Sequence, residues 1–234
     1  TIRMRIYVGY DSREDIAYEV CKYSIHKQNP DIEVIPLKLT ILKEIGVYTR
    51  DVDPKATTEF TFSRFFVPYL MGYKGWALFV DCDFLFLKDP AEIFKQAQEQ
   101  YAVMCVQHDY TPKTTTKMDG KPQLQYPRKN WSSCVLYNCA HSRNAHLNLE
   151  NLNSKDGLWH HRFSWIDDSE IGSISHEWNW LTDWYKEPED GSPKALHYTE
   201  GGPWFDNYKN TAYADIWLDI EAEFKDKRYW EGIK

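Results

Sequence analysis

Residues 75–87, GWALFVDCDFLFL, are an apolar run broken only by Asp81 and Asp83. Residues 76–80 are apolar at every position, with neither the period of two of a half-exposed strand nor the 3.6 of an amphipathic helix. A short segment of that kind reads as a central strand covered on both faces, the environment of a mostly parallel sheet flanked by helices. The neighbouring residues agree. MRIYVG (4–9) predicts a strand, and residues 13–27 predict a helix behind a Ser12 cap, with Ile16, Val20, Tyr23 and Ile25 inward. DIEVIPL predicts a second strand, and FSRFFVPYLMGY a helix that ends at Gly72. PAEIFKQAQEQ predicts a helix with Pro90 in its first turn, and YAVMCVQ another strand. Alternating strands and helices of this kind define an α/β, Rossmann-like layer.

The second half is less regular. Residues 107–130 are polar, with Asp119-Gly120 suited to a hairpin turn. SSCVLYN (132–138) reads as a buried strand, HSRNAHLNLENL as a helix, and residues 211–225 as a last helix with Ala214, Trp217, Leu218 and Phe224 inward. Between 154 and 210 no long periodic element is visible. The expectation is one domain over residues 1–234, with a sheet-forming half at 1–106 and a loop-rich half at 107–234, where binding residues tend to sit.

Composition removes several classes of function. The formal charge is −7 and no Lys/Arg-rich run occurs, which disfavours a nucleic-acid partner. No apolar stretch approaches the ~18 residues of a membrane span, so no integral membrane association is expected. The chain enters a strand at once, without the pattern of a signal peptide. Its five cysteines are odd in number and not paired in spacing, which fits reduced thiols in a cytoplasmic setting. Aromatic residues reach 16%, including 10 Trp, a content that suits either a well-filled core or stacking on flat ligands such as sugars and bases. Trp159, Trp165, Trp178, Trp180 and Trp184 are read mainly as core.

Asp81 and Asp83 are the sharpest chemical feature. Side chains at i and i+2 share a face of a strand, so both carboxylates converge at its carboxyl end, where open α/β sheets bind ligands. Like charges that close need a proton or cation between them, and hard oxygen donors favour Mg²⁺ or Mn²⁺. Capping of the strand-end turn is the competing explanation. Gly9-Tyr10-Asp11 closes the first strand on the same sheet edge; it fits either a ligand-facing loop or a plain strand-to-helix turn with Asp11 or Ser12 as cap. His197, in HYTEGGPW, is either a structural histidine or a third ligand. The carboxylates at 167–170 form either a solvated turn or acid/base groups.

In order along the chain, IYVGYDS, FSRFFVP, GWALFVDCDFLFLKDPAEIF, NWSSCVLYN, DDSEIGSISHEWNW and HYTEGGPW resemble the motifs of GT-A fold glycosyltransferases, most closely glycosyltransferase family 8, which includes glycogenin-like and bacterial lipopolysaccharide galactosyltransferases. The likeness spans about residues 4–205. It implies a hexosyltransferase that takes a UDP-sugar as donor and a saccharide or other hydroxyl as acceptor, with retention at the anomeric carbon. By that resemblance, Asp81, Asp83 and His197 hold Mn²⁺ or Mg²⁺. Arg64 contacts the donor sugar or diphosphate, Tyr10 and Asp11 bind uracil and ribose, and Gly9 gives backbone room. Asp167 or Asp168 stands beside the donor sugar. Two departures are visible: no Lys precedes Pro203-Trp204, so Gly201 and Gly202 would supply backbone N–H groups or Lys209 would reach back, and Trp131-Ser132-Ser133 replaces Asn-Ala-Gly at the sugar-pocket floor. The rival readings are a non-catalytic nucleotide- or carbohydrate-binding protein of the same fold and a sugar nucleotidyltransferase.

Overall fold

The computed structural model describes residues 3–108, 128 and 130–233. In chain order the strands are β1 (Arg5–Gly9), β2 (Glu33–Leu37), β3 (Trp76–Val80), β4 (Phe84–Phe86), β5 (Val103–Cys105), β6 (Cys134–Asn138), β7 (Ile171–Ser173), β8 (Trp180–Leu181) and β9 (Ala195–His197). The helices are α1 (Asp15–Gln28), α2 (Leu39–Glu44), α3 (Val67–Leu70), α4 (Ala91–Phe94), α5 (Leu149–Ser154), α6 (Gly157–His161) and α7 (Ala214–Ile233). The main sheet runs β2-β1-β3-β6-β5-β7. Five of its strands point one way and β6 runs against β3 and β5. A second sheet, β4-β9-β8, sits beyond the carboxyl end of β3.

The expected α/β layer with a mostly parallel central sheet is present. β3 lies at the centre, with Ala77, Leu78, Phe79 and Val80 fully buried between β1 and β6. Removal of Leu78, Phe79 and Val80 from water contributes about 1.5–3 kcal/mol each. The core has two parts, and α1 joins them. Ala17, Tyr18, Cys21 and Ile25 pack on the main sheet, while Val20 meets Leu85, Trp180, Leu196 and Trp217 under the second. A shared helix ties the position of the small sheet to the large one. Among the described residues no helix is long and apolar enough to cross a membrane.

The departures from expectation are local. The Ser12 cap is replaced by Asp11, which accepts from the Arg13 N–H at 3.0 Å and starts a 3₁₀ turn, Ser12–Glu14, ahead of α1. Ser12 is occupied instead by Glu59, at 2.6 Å from its hydroxyl. The helix expected from Pro90 stops after four residues, with Ile93 buried and Phe94 partly buried against the main core. The helix expected at 62–73 begins as a 3₁₀ turn, Ser63–Phe66, and the one expected at 141–152 is split where Asn148 caps α5. The last helix extends to Ile233, although only Ala214 and Trp217 of it are buried. The turn expected at Asp119-Gly120 lies outside the described residues.

Candidate functional site

Backbone hydrogen bonds beyond the end of β3 build the site. The Asp81 N–H donates to Ser133 O at 3.0 Å, which carries the β3–β6 ladder one residue past Val80. The Phe84 N–H then donates to Asp81 O at 3.3 Å, closing a turn with buried Cys82 at its inner side. Asp81 and Asp83 therefore converge through this turn and not through the pleat of one strand, as their spacing suggested. β4 comes next and pairs antiparallel with β9, setting His197 opposite Phe84. The imidazole stacks on the Phe84 ring at 4.4 Å between centroids, and the Tyr198 N–H donates to Asp83 O at 3.0 Å.

The result is a cluster in which one ligand atom each from Asp81, Asp83 and His197 lies within 4.8 Å of the others. His197 Nε2 is 3.1 Å from Asp83 Oδ1 and 3.9 Å from Asp81 Oδ2. His197 is 2% exposed, and the two aspartate side chains 14% and 19%. Asp83 Oδ1 is buried and receives no hydrogen bond of good geometry among the described residues. Two carboxylates and an imidazole, one oxygen unsatisfied, are a donor set that Mn²⁺ or Mg²⁺ fits.

Arg64 braces this cluster. Its Nη1 donates to Asp81 Oδ1 at 2.8 Å and to Ser132 O at 2.9 Å, while Nε donates to Phe60 O at 3.2 Å. The Arg64 side chain is 7% exposed, and its guanidinium carbon lies 5.2 Å from the ring centres of both Phe60 and Phe79.

Above the cluster opens a cavity of about 760 Å³. One wall comes from residues 53–62, another from the start of α6 with His161, and a third from residues 199–208. Two of its members, Glu14 and His161, are not singled out by the sequence. Glu14 is buried at the cavity wall and accepts from Trp204 Nε1 at 3.1 Å. Its burial, reinforced by the Asp83 charge, pushes its carboxyl up to about 7. Ser132 and His161 face each other across 2.7 Å, Oγ to Nδ1, beside Arg64. Glu14 reads in sequence as an ordinary first-turn helix acid, and nothing in the chain's periodicity marks a loop wall.

Several residues singled out from sequence are not brought to the cavity. Asp11 is fully buried, taking both Arg13 guanidinium contacts (3.0 and 2.8 Å) and the Glu59 N–H (3.2 Å). Tyr10 donates to Asp15 at 2.6 Å and stacks edge-on with Tyr18. Gly9 makes room for the Phe60 ring, which a Cβ there would meet at 2.6 Å. None of the three lines the cavity; the contacts they make brace the first turn after β1. Gly201 adopts φ 145°, packs against Tyr208 and spends its N–H on Tyr198 O, while Gly202 packs against Trp204; neither lines the cavity, nor does Lys209. Asp167 and Asp168 stand at the surface, held by Arg143 and Arg128, and are likewise absent from the lining. Trp165, Trp178 and Trp180 are core residues.

No family model matches the chain. Protein CDI of Arabidopsis thaliana is 51% identical over 224 residues, covering 94% of this chain and 86% of that protein. Among solved structures, the bifunctional glycosyltransferase WbbM superposes with a TM-score of 0.65 at 15% identity, over 94% of this chain and 49% of WbbM. The glycosyltransferase GlyE of Streptococcus pneumoniae TIGR4 gives 0.61 at 14% identity, over 100% of this chain and 65% of GlyE. The galactosyltransferase LgtC, solved with donor and acceptor sugar analogues, gives 0.59 at 10% identity, over 94% of this chain and 96% of LgtC. The chain thus spans about half of WbbM and just under two thirds of GlyE. The architecture is that of the GT-A glycosyltransferases, and by its sequence the chain belongs to the family of the Arabidopsis thaliana Protein CDI.

Proposed function

We propose that the protein is a metal-dependent glycosyltransferase of the family 8 type. It would move a hexose from a nucleotide-sugar, a UDP-sugar, to a hydroxyl acceptor with retention of anomeric configuration. The observation that carries this reading is the Asp81–Asp83–His197 cluster at the base of a cavity at the carboxyl end of β3. Among its described residues that cavity is lined by six carboxylates (Glu14, Asp53, Asp81, Asp83, Asp156, Glu200) against Arg13, Lys55 and Arg64. A diphosphate enters so acidic a space only with cations of its own, which supports a nucleotide-sugar bound as a metal complex.

In this reading Asp81, Asp83 and His197 hold Mn²⁺ or Mg²⁺. When bound, the ion supplies a Lewis acid for the charge that builds on the departing diphosphate. Arg64 keeps Asp81 aimed at the ion, and its own positive charge adds preorganised stabilisation next to the leaving group. Ser132 Oγ and His161, beside Arg64, are placed to bind sugar hydroxyls. Glu14, carrying a proton over part of the neutral range, is placed to donate to or accept from the nucleotide on the Trp204 side. Residues 1–106 supply the nucleotide half of the site and residues 107–234 the sugar half. Five free, buried cysteines accord with a reducing, cytoplasmic setting.

A panel of nucleotide-sugars with Mn²⁺, Mg²⁺ or EDTA, monitored for released nucleoside diphosphate, tests the proposal. UDP released from one sugar in the presence of Mn²⁺, and lost in EDTA, is the expected result. Failure of every nucleotide to raise the melting temperature would sink it.

A further inference from the structure

His197 meets the two aspartates through Nε2, and an imidazole offers a metal a lone pair there only when its proton sits on Nδ1. Three buried groups settle where that proton is. Ser133 Oγ donates its one hydrogen to Asn130 O at 2.8 Å, so toward Asn179 it only accepts. Asn179 accordingly turns its amide nitrogen to Ser133 Oγ, at 2.9 Å. Its carbonyl oxygen then faces His197 Nδ1 at 2.8 Å, and this contact is a hydrogen bond only with the proton on Nδ1. Asn179, Ser133 and His197 are 0%, 3% and 2% exposed, so water does not stand in for any of them. The Phe84 stack fixes the plane of the ring but not which edge faces the aspartates; the Asn179 bond fixes the edge.

We propose that Asn179 is a positioning residue which, oriented by Ser133 and the Asn130 carbonyl, locks His197 as the Nδ1–H tautomer with Nε2 free for a divalent cation. The inference rests on the metal-dependent reading of the site and extends it to the asparagine of the HEWNW segment, whose side chain reaches no ligand of its own. Partners that orient a ligating histidine are typically worth 10–100-fold in metal affinity.

Two measurements separate this proposal from its parent. The first is a ¹⁵N–¹H multiple-bond spectrum of the metal-free wild-type chain at neutral pH. It should show His197 with a proton on Nδ1; a ring protonated on Nε2 with Nδ1 bare overturns the proposal. The second is Mn²⁺ affinity from the free-ion signal in electron paramagnetic resonance. Asn179→Leu should weaken binding about 10–100-fold. Thermal melting of Asn179→Leu and of the wild type, whose affinity is the reference, serves as the folding control. Ser133→Ala, which frees the amide to turn, should fall between them. Asn179→Leu binding Mn²⁺ as tightly as wild type overturns the role of Asn179 while leaving the metal site intact. A wild-type chain that binds no Mn²⁺ removes the metal-dependent transfer and, with it, the purpose assigned to Asn179.

Discussion

Two aspartates end neighbouring parallel strands on the same edge of the sheet, and they have opposite fates. Asp11 succeeds β1, is fully buried, and has both oxygens taken by Arg13, the Arg13 N–H and the Glu59 N–H. Asp81 succeeds β3, gives one oxygen to Arg64 and directs the other toward His197 and the cavity. The difference lies in the path of the chain beyond each strand. After β1 it enters a 3₁₀ turn whose Arg13 folds straight back; after β3 it enters a second sheet whose β9 delivers an imidazole. A carboxylate at a sheet edge is therefore structural or chemical according to whether its hydrogen-bond capacity is already filled.

The sharpest way to break this comparison is to truncate each aspartate. Asp81→Ala or Asp83→Ala should abolish Mn²⁺ binding and lower donor turnover by about 10³-fold, since a Lewis acid contributes several kcal/mol. Asp11→Ala should leave Mn²⁺ binding unchanged but cost about 2–3 kcal/mol in urea unfolding, through loss of a cap and orphaned N–H groups. Equal loss of metal binding in Asp11→Ala would erase the distinction.

Arg64→Met comes next. Removing one partner of a buried pair leaves Asp81 uncompensated and should cost about 3–5 kcal/mol. Because a bound cation would partly replace the lost charge, Mn²⁺ should raise the melting temperature of Arg64→Met more than that of the wild type.

Glu14, between the two strand ends, gives a pH signature in the metal-free chain. Its folded value of about 7 lies above the ordinary 4.5, so its contribution to stability is whole below about pH 4.5 and lost as pH rises to about 7. That window corresponds to about 3 kcal/mol, and Glu14→Gln should flatten it. His108 and His160, pushed down to about 3 and 4 by burial, act with opposite sign and lose stability as pH falls below 6.5, so the difference between mutant and wild type is the quantity to compare. The smallest effect belongs to Arg13→Met. Its own side chain is 63% exposed, but the Asp11 carboxylate it holds is fully buried and keeps only the Arg13 and Glu59 N–H groups, so denaturation should shift by about 1–3 kcal/mol.

These contrasts mark what the sequence discloses. β1, β3 and α1 are legible because Ile6, Val8, Leu78 and Val80 fill a sheet core and the inward face of α1 keeps its period. The convergence of Asp81 and Asp83 is legible as two close carboxylates, although a turn produces it. Asp11 is legible only as two alternatives, a ligand contact or the cap it forms, because no spacing shows Arg13 folding back two residues later. Asp167 and Asp168 read in the sequence as either a solvated turn or acid/base groups, and the arginines that hold them come from distant segments. Strands as short as β4, β8 and β9 carry too few residues for a period, and Glu14 and His161 enter the cavity by the path of the chain around them, which no local pattern records.

The pairing of β9 with β4 also has a temporal consequence. His197 and Asp83 are more than a hundred residues apart in the chain, and closing so long a loop comes late for entropic reasons. Pulse-labelled hydrogen exchange should find the Tyr198 N–H, bonded to Asp83 O, protected later than the amides of β1 and β3; simultaneous protection would count against this order. A nascent chain then carries Asp81 held by Arg64 before the imidazole arrives as a signature of completion: only a molecule synthesised and folded through residue 197 has all three groups of the cluster in place.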